Sequence, residues 1–131
     1  MRISTRKIDD VVVLDMSGKT TTGEPTKLLR RTFQELLEQG ETRFVFNMLK
    51  VSWLDSGGIG SVVACHRRVV GKKGVIRLAL KGRAHDLFTM TSLDSVFKIF
   101  ETVEKALASL ADWLPGEVLE ISEPDEVDAA S

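Results

Sequence analysis

Residues 53–60 read WLDSGGIG. An apolar run stops at Asp55 and Ser56, two glycines follow, and a second apolar stretch begins at Ile59. Strand-length hydrophobicity before the break and helix-length hydrophobicity after it make this a strand-to-helix junction with a serine at its apex. Such a serine can be a nucleophile, part of a phosphate cradle, a helix cap, or the target of another protein's chemistry. Capping is the plainest of these roles for Ser56, worth roughly 1 kcal/mol through one backbone N–H.

The same patterning extends in both directions. Upstream, residues 43–49 (RFVFNML) form a continuous apolar run, as expected of a strand covered on both faces. Before it, Leu28, Leu29, Phe33, Leu36 and Leu37 recur at helical spacing after Pro25, which suits a first helical position, and Gly40 supplies the stop. Residues 2–8 and 11–17 read as strands joined at Asp9-Asp10, a hairpin. Downstream, residues 57–70 read as a helix, 75–80 as a strand, 85–92 as a short helix and 96–101 as a short strand. Residues 103–114 read as a last helix with Val103, Leu107, Leu110 and Leu114 inward. Alternating strands and helices after a hairpin predict a single α/β domain, with a mixed central sheet of four to five strands and about four helices.

A chain of 131 residues, 43% hydrophobic and 28% charged, suffices for one packed domain. It has no apolar run long enough to span a membrane, and its first ten residues lack the apolar core of a secretory signal, so a cytoplasmic protein without membrane insertion is expected. Cys65 has no partner for a disulfide, and no Cys/His cluster has zinc spacing, so neither metal nor cofactor is expected. The net charge of −1 conceals an imbalance. Residues 116–131 hold six carboxylates and no cation, which leaves +5 on residues 1–115. The division expected is a folded domain over residues 1–114 and a solvated, flexible acidic tail over 115–131. The cations of the body do not form a stripe interleaved with aromatics, so direct nucleic-acid binding is not expected.

Catalytic and nucleotide-binding patterns fail at identifiable positions. A nucleophile elbow requires glycine two residues before the serine, where this chain has Leu54. The segment Gly18-Lys19-Thr20 ends like a phosphate-binding loop whose first glycine is replaced by Val13, and a dinucleotide fingerprint starting at Gly58 would need glycine at Val63. His66 shares a helical side with Ile59, Val62, Val63 and Val70 and is expected as a satisfied core histidine. His85 is expected in a surface or capping role, and Cys65 as a small packing residue on the helix flank. Trp53 is expected to pack over the sheet edge, with an exposed aromatic anchor as the alternative. No enzymatic activity is predicted.

Taken in order, the paired N-terminal strands, the Gly18-Lys19 exit, the Gly40 stop, the run Leu54-Asp55-Ser56-Gly57-Gly58-Ile59-Gly60, and Ser92-Leu93-Asp94-Ser95-Val96-Phe97 resemble the STAS domain, and within it the anti-sigma factor antagonists. The resemblance covers residues 1 to about 114. It implies that Ser56 is phosphorylated by an anti-sigma factor, a serine kinase of the histidine-kinase-like ATPase fold, and restored by a PP2C-type phosphatase. The unphosphorylated chain would bind the anti-sigma factor and release a sigma factor. A STAS interaction subunit of a transporter ATPase complex, or of a stressosome-like scaffold, is the alternative it leaves open. One departure is Thr91-Ser92-Leu93, where relatives commonly have Thr-Gly-Leu.

Around Ser56, Asp55 is expected to orient the hydroxyl or cap the turn. Gly57 and Gly58 are expected either to give a partner access or to permit the turn. Opposite the expected core face, Gly57, Gly60, Ser61, Ala64 and Arg68 would offer a small-residue surface for a partner.

Overall fold

A computed structural model describes residues 1–114. The N-terminal hairpin pairs β1 (Arg2–Ile8) with β2 (Val11–Thr20) in antiparallel register, Ile8 opposite Val11 and Arg2 opposite Ser17. Its two-residue turn places Asp9 and Asp10 at φ 49° and 67°, the left-handed conformation that a tight hairpin requires and that aspartate tolerates.

Helix α1 (Glu24–Glu38) carries Pro25 in its first turn and ends at Gly40, φ 94°. The N–H of Gly40 reaches the Leu37 carbonyl at 3.0 Å and that of Glu41 the Leu36 carbonyl at 3.1 Å, a Schellman closure that fixes the chain reversal into the next strand. That strand, β3 (Arg43–Leu54), runs parallel to β2. It outruns the expected 43–49 because two irregularities interrupt its alternation: Asp15 faces Asn47 but Ser17 faces Lys50, and Gly18 faces Val51 but Lys19 faces Trp53. Each step inserts one extra residue into β3, which hides the period-2 signal over its second half.

Helix α2 (Ser56–Gly71) leads to β4 (Val75–Ala79), α3 (Arg83–Met90), a 3-10 turn (Leu93–Ser95), β5 (Ile99–Phe100) and α4 (Val103–Ala108). Strand order is β1-β2-β3-β4-β5, with β2 to β5 parallel. Because the strands advance in one direction, right-handed crossovers place α1, α2 and α3 on one face. Their core surrounds Phe33, which meets Phe44 at 4.7 Å and Phe46 edge-on at 5.7 Å between ring centroids. Among the described residues, the second face is covered by α4 and the turns that follow it, through Val103, Ala106, Leu110 and Trp113 on Val11, Val13, Val45, Val75 and Ala79.

Several expectations are corrected. Strand β5 is two residues long rather than six, since Val96 and Phe97 still turn back on the 3-10 segment, both N–H groups donating to the Leu93 carbonyl at 3.0 Å. Helix α4 stops at Ala108, and tighter turns beyond it bury Trp113 while leaving Leu114 64% exposed. The core face of α2 runs through Gly58, Ser61, Val62, Cys65, His66 and Val69. Val62 and Val69 are fully buried there beside these small residues, while Ile59, Val63 and Val70 of the expected face stand partly to its side. Cys65 is therefore buried in the core, where desolvation pushes its thiol up to about 12. His66 is buried but not satisfied: its Nδ1 has no hydrogen-bond partner, and its ring lies edge-on to Phe97 at 4.9 Å.

Burial, with the charge of Arg67 adding to it, holds the His66 imidazole below its ordinary pKa of 6.5. The unfolded chain therefore binds the proton more readily, and stability present above about pH 6.5 is lost as pH falls through the depressed folded value. Denaturation midpoints measured from pH 7.5 to 5 should decline in the wild type, and His66→Leu should flatten the part of the decline that begins near pH 6.5. Ser92 occupies the left-handed region at φ 60°, a strained conformation for a residue with a Cβ. Ser92→Gly should raise stability by about 0.5–1 kcal/mol in urea titration, the released strain being partly offset by glycine's unfolded-state entropy.

Candidate functional site

The junction of β3 and α2 is held against the segment that leaves β2. Asp55, not Ser56, is the N-cap of α2: its backbone is extended, and its Oδ1 accepts the N–H of Gly58 at 2.9 Å. The other carboxylate oxygen accepts the backbone N–H of Thr22 at 3.2 Å and its hydroxyl at 3.5 Å. The Asp55 N–H in turn donates to the Thr20 carbonyl at 3.4 Å. These N–H donors, that of Gly58 foremost and then that of Thr22, hold the Asp55 carboxyl below its ordinary pKa, so the cap is ionised at neutral pH. One carboxylate thus closes the helix end and ties it to a neighbouring loop.

The two glycines allow that approach. A Cβ on Gly58 would overlap the Thr20 carbonyl oxygen and stand 2.7 Å from Leu54 Cδ1, and a Cβ on Gly57 would overlap the Thr22 hydroxyl. Neither glycine has positive φ, so close packing rather than turn geometry calls for them, and both are turned toward the protein. Gly60, by contrast, has open space where a Cβ would stand.

With Asp55, Gly57 and Gly58 fastened inward, Ser56 is left exposed as the first residue of α2. It stands at the end of the helix where the dipole favours negative charge. The alignment of β2, β3 and β4 brings this helix start to the C-terminal edge of the parallel sheet, the usual place for functional groups in such sheets.

The surface expected beside Ser56 is only partly assembled. Gly60 and Arg68 are exposed and Ala64 is half-buried, but Ser61 is fully buried with its Oγ unpartnered, and Gly57 packs on Thr22. Ser61 is therefore removed from the expected surface, because it sits on the sheet side of the helix. Arg68 is tethered to α1 by a 2.6 Å hydrogen bond from Nη1 to the Gln34 side-chain oxygen.

Trp53, expected to pack over the sheet edge with an exposed anchor as the alternative, takes the exposed position, and it has a neighbour that sequence reasoning missed, Arg83. Trp53 is 50% exposed, and the Arg83 guanidinium lies over its ring at 5.4 Å. With Leu54 and Leu87 they border a groove of about 90 Å³ between the end of β3 and α3. Arg83 lies 30 positions away in sequence and carried no motif, so only the fold reveals the pair. His85 is exposed on α3 and takes no part in this site. Among the described residues, no helix is long and apolar enough to cross a membrane.

Comparison with known proteins gives a consistent result. A family model described as STAS domain matches residues 2–106. A Thermotoga neapolitana protein bearing the name of an anti-sigma factor antagonist homologue is 28% identical over 102 residues, 76% of this chain and 89% of that protein. A Thermotoga maritima relative with an anti-sigma factor antagonist name is 26% identical over the same shares. Among solved structures, an anti-sigma factor antagonist from Mycobacterium paratuberculosis superposes with a TM-score of 0.76 at 22% identity, covering 85% of this chain and 94% of that one. The Bacillus cell fate determinant SpoIIAA in its phosphorylated form gives 0.67 at 20% identity, covering 83% and 99%. At such identities the structures share the fold.

The opposite surroundings of two glycines on one helix predict opposite effects of the same substitution. Gly58→Ala should destabilise by about 1–3 kcal/mol through overpacking, whereas Gly60→Ala should stabilise by about 0.5–1 kcal/mol through helix propensity. Urea denaturation of the two variants checks both signs.

Proposed function

The chain belongs to the STAS domain family, and on that premise we propose that it is an anti-sigma factor antagonist switched by phosphorylation of Ser56. The observation that carries this reading is the display of Ser56: an exposed hydroxyl at the first position of α2, between residues that are themselves fastened to the loop at Thr20 and Thr22. Names given to the Thermotoga relatives support the antagonist role.

On this reading the chain is a substrate and a switch rather than an enzyme. The partner is an anti-sigma factor that is also a serine kinase of the histidine-kinase-like ATPase fold. The Ser56 oxygen attacks the γ-phosphorus of ATP bound to that partner, the bond to the β-phosphate oxygen breaks, ADP leaves, and the hydroxyl proton passes to a base on the kinase. A PP2C-type phosphatase reverses the modification by hydrolysis. The first turn of α2 is held by Asp55 and the two inward glycines rather than by the Ser56 hydroxyl, so a phosphate on Ser56 is accommodated without unfolding the domain.

The change in binding follows from charge. A phosphate adds about −1.5 to −2 beside the ionised Asp55 and places it in the surface that the partner covers. Burial of that charge at a cost of about 2–3 kcal/mol lowers affinity by roughly two orders of magnitude. The partner-facing surface comprises Ser56, Gly60, Ala64 and Arg68, together with the Trp53–Arg83 pair, since exposed tryptophan and arginine are the residue types that most often anchor interfaces.

Partners captured from bacterial extract on the immobilised chain, with and without ATP, test the reading. One phosphate is expected at Ser56 by mass spectrometry, with loss of the captured kinase as it accumulates. Ser56→Ala should retain the kinase in the presence of ATP, and Ser56→Asp should bind it about 100-fold more weakly. Undiminished affinity of stoichiometrically phosphorylated protein would falsify the switch. Stable co-purification with a transporter ATPase, with no phosphate on Ser56, would assign the chain to the alternative class of STAS interaction subunit.

A further inference from the structure

Among the described residues, α4 and the turns after it cover only the lower part of the second sheet face, and above them the sheet is open. Strand alternation brings Arg2, Ser4 and Arg6 of β1 beside Asp15 and Ser17 of β2, and Asn47 and Lys50 of β3 border the same depression of about 580 Å³. Lys50 joins this face because the first irregularity of β3 sets it opposite Ser17, at the level of Arg2.

The polar groups here are organised. Asp15 receives Arg6 Nε at 2.8 Å, Arg6 Nη2 at 3.3 Å and Asn47 Nδ2 at 2.7 Å, and Asn47 Oδ1 accepts the Leu49 N–H at 3.2 Å. Asp15 is thus committed to Arg6. Arg2 and Lys50, both exposed, have no ion pair among the described residues. The face therefore carries an excess of two positive charges with no carboxylate opposite them.

We infer that the acidic C-terminal segment of the same chain, residues 117–128, seats on this face. Charge supports this occupant first. The segment holds Glu117, Glu120, Glu123, Asp125, Glu126 and Asp128 without one cation, and it is tethered beside an unpaired basic patch, where covalent linkage replaces an association cost with a high effective concentration. Its apolar residues Val118, Leu119 and Ile121 are interspersed among the carboxylates, matching a surface that mixes cations with the partly buried Leu49 at its border.

Reach supports it second. The described chain ends next to Trp113, whose carbonyl accepts Arg43 Nη2 at 3.5 Å at the start of β3. From that level Asn47 is roughly 13 Å away and Lys50 roughly 23 Å away at about 3.3 Å per strand residue. From Leu114, Glu117 can extend about 10 Å and Glu123 about 30 Å. Glu117 and Glu120 therefore reach the tier of Arg6, and Glu123 through Asp128 reach the tier of Arg2 and Lys50, with the segment running in the direction of β3.

Paramagnetic relaxation in the full-length chain tests this directly. A nitroxide is attached at Ser122→Cys; the buried, high-pKa thiol of Cys65 leaves the introduced cysteine as the reactive one. At low salt, amide signals of Ser4, Ser17 and Asn47 should broaden most. The broadening should be lost in 0.5 M salt, in Arg2→Gln/Lys50→Gln, and in a variant with the six tail carboxylates changed to amides, whose folded domain is not altered. Broadening strongest on α1 and α2, or confined to residues adjoining Leu114, would overturn the inference. Broadening that appears on an isotope-labelled, nitroxide-free chain mixed with the labelled one would also overturn it, by assigning the tail to a second copy.

Discussion

The contact on which the functional end of this domain depends is the approach of the first turn of α2 to the segment Thr20–Thr22. The approach is closer than any side chain at Gly57 or Gly58 would permit, and Asp55 fastens it by accepting N–H groups from both the helix and the loop. Hydrogen bonds to an ionised carboxylate are among the stronger ones available to a protein. They are also directional, so the turn is fixed in orientation as well as position. Ser56 is presented outward because its neighbours on both sides are committed inward.

For the modification proposed at Ser56, that arrangement separates two demands usually in conflict. The acceptor must be accessible, yet the backbone bearing it must not depend on the acceptor's own bonds. Here the cap is delegated to Asp55, so changing Ser56 chemically removes no hydrogen bond that holds α2 in place. The core beneath is equally independent of it, since Phe33, Phe44 and Phe46 pack around the middle of the sheet. On the proposed reading, stability and the phosphate acceptor reside in different residues of the same domain.

Much of the fold was legible because its local signals are strong and mutually consistent. Asp9-Asp10, Gly40 and the periodicity of Leu29, Phe33 and Leu37 each have one dominant structural meaning, and the structure realises each. The second half of β3 was not legible, because two extra residues there reverse the face that each side chain takes. The core face of α2 was misjudged for a related reason. Hydrophobicity counts Ile59, Val63 and Val70, which are only partly buried, and passes over Gly58, Ser61 and Cys65, which the helix buries. The junction itself could be located from WLDSGGIG, which left the cap open between Asp55 and Ser56, whereas the tie from Asp55 to Thr22, 33 residues away, needed the fold. Leu114, expected inward, lies exposed and Trp113 is buried instead, because α4 tightens after Ala108 and rotates the chain that follows.

The outer strand of the hairpin has a consequence for the protein in crowded surroundings. β1 ends the sheet, so one side of its backbone presents unpaired donors and acceptors along seven residues. Such an edge would template cross-strand accretion if it were apolar. Instead it bears Arg2, Arg6 and Lys7, the last bonded to Glu41 at 2.9 Å, while the opposite edge, β5, offers only two residues. Like charges on a would-be partner strand meet like charges here, and the short edge gives too few bonds to hold one. The sheet is thereby bounded at one margin by electrostatic repulsion and at the other by brevity, which guards the folded chain against edge-to-edge aggregation.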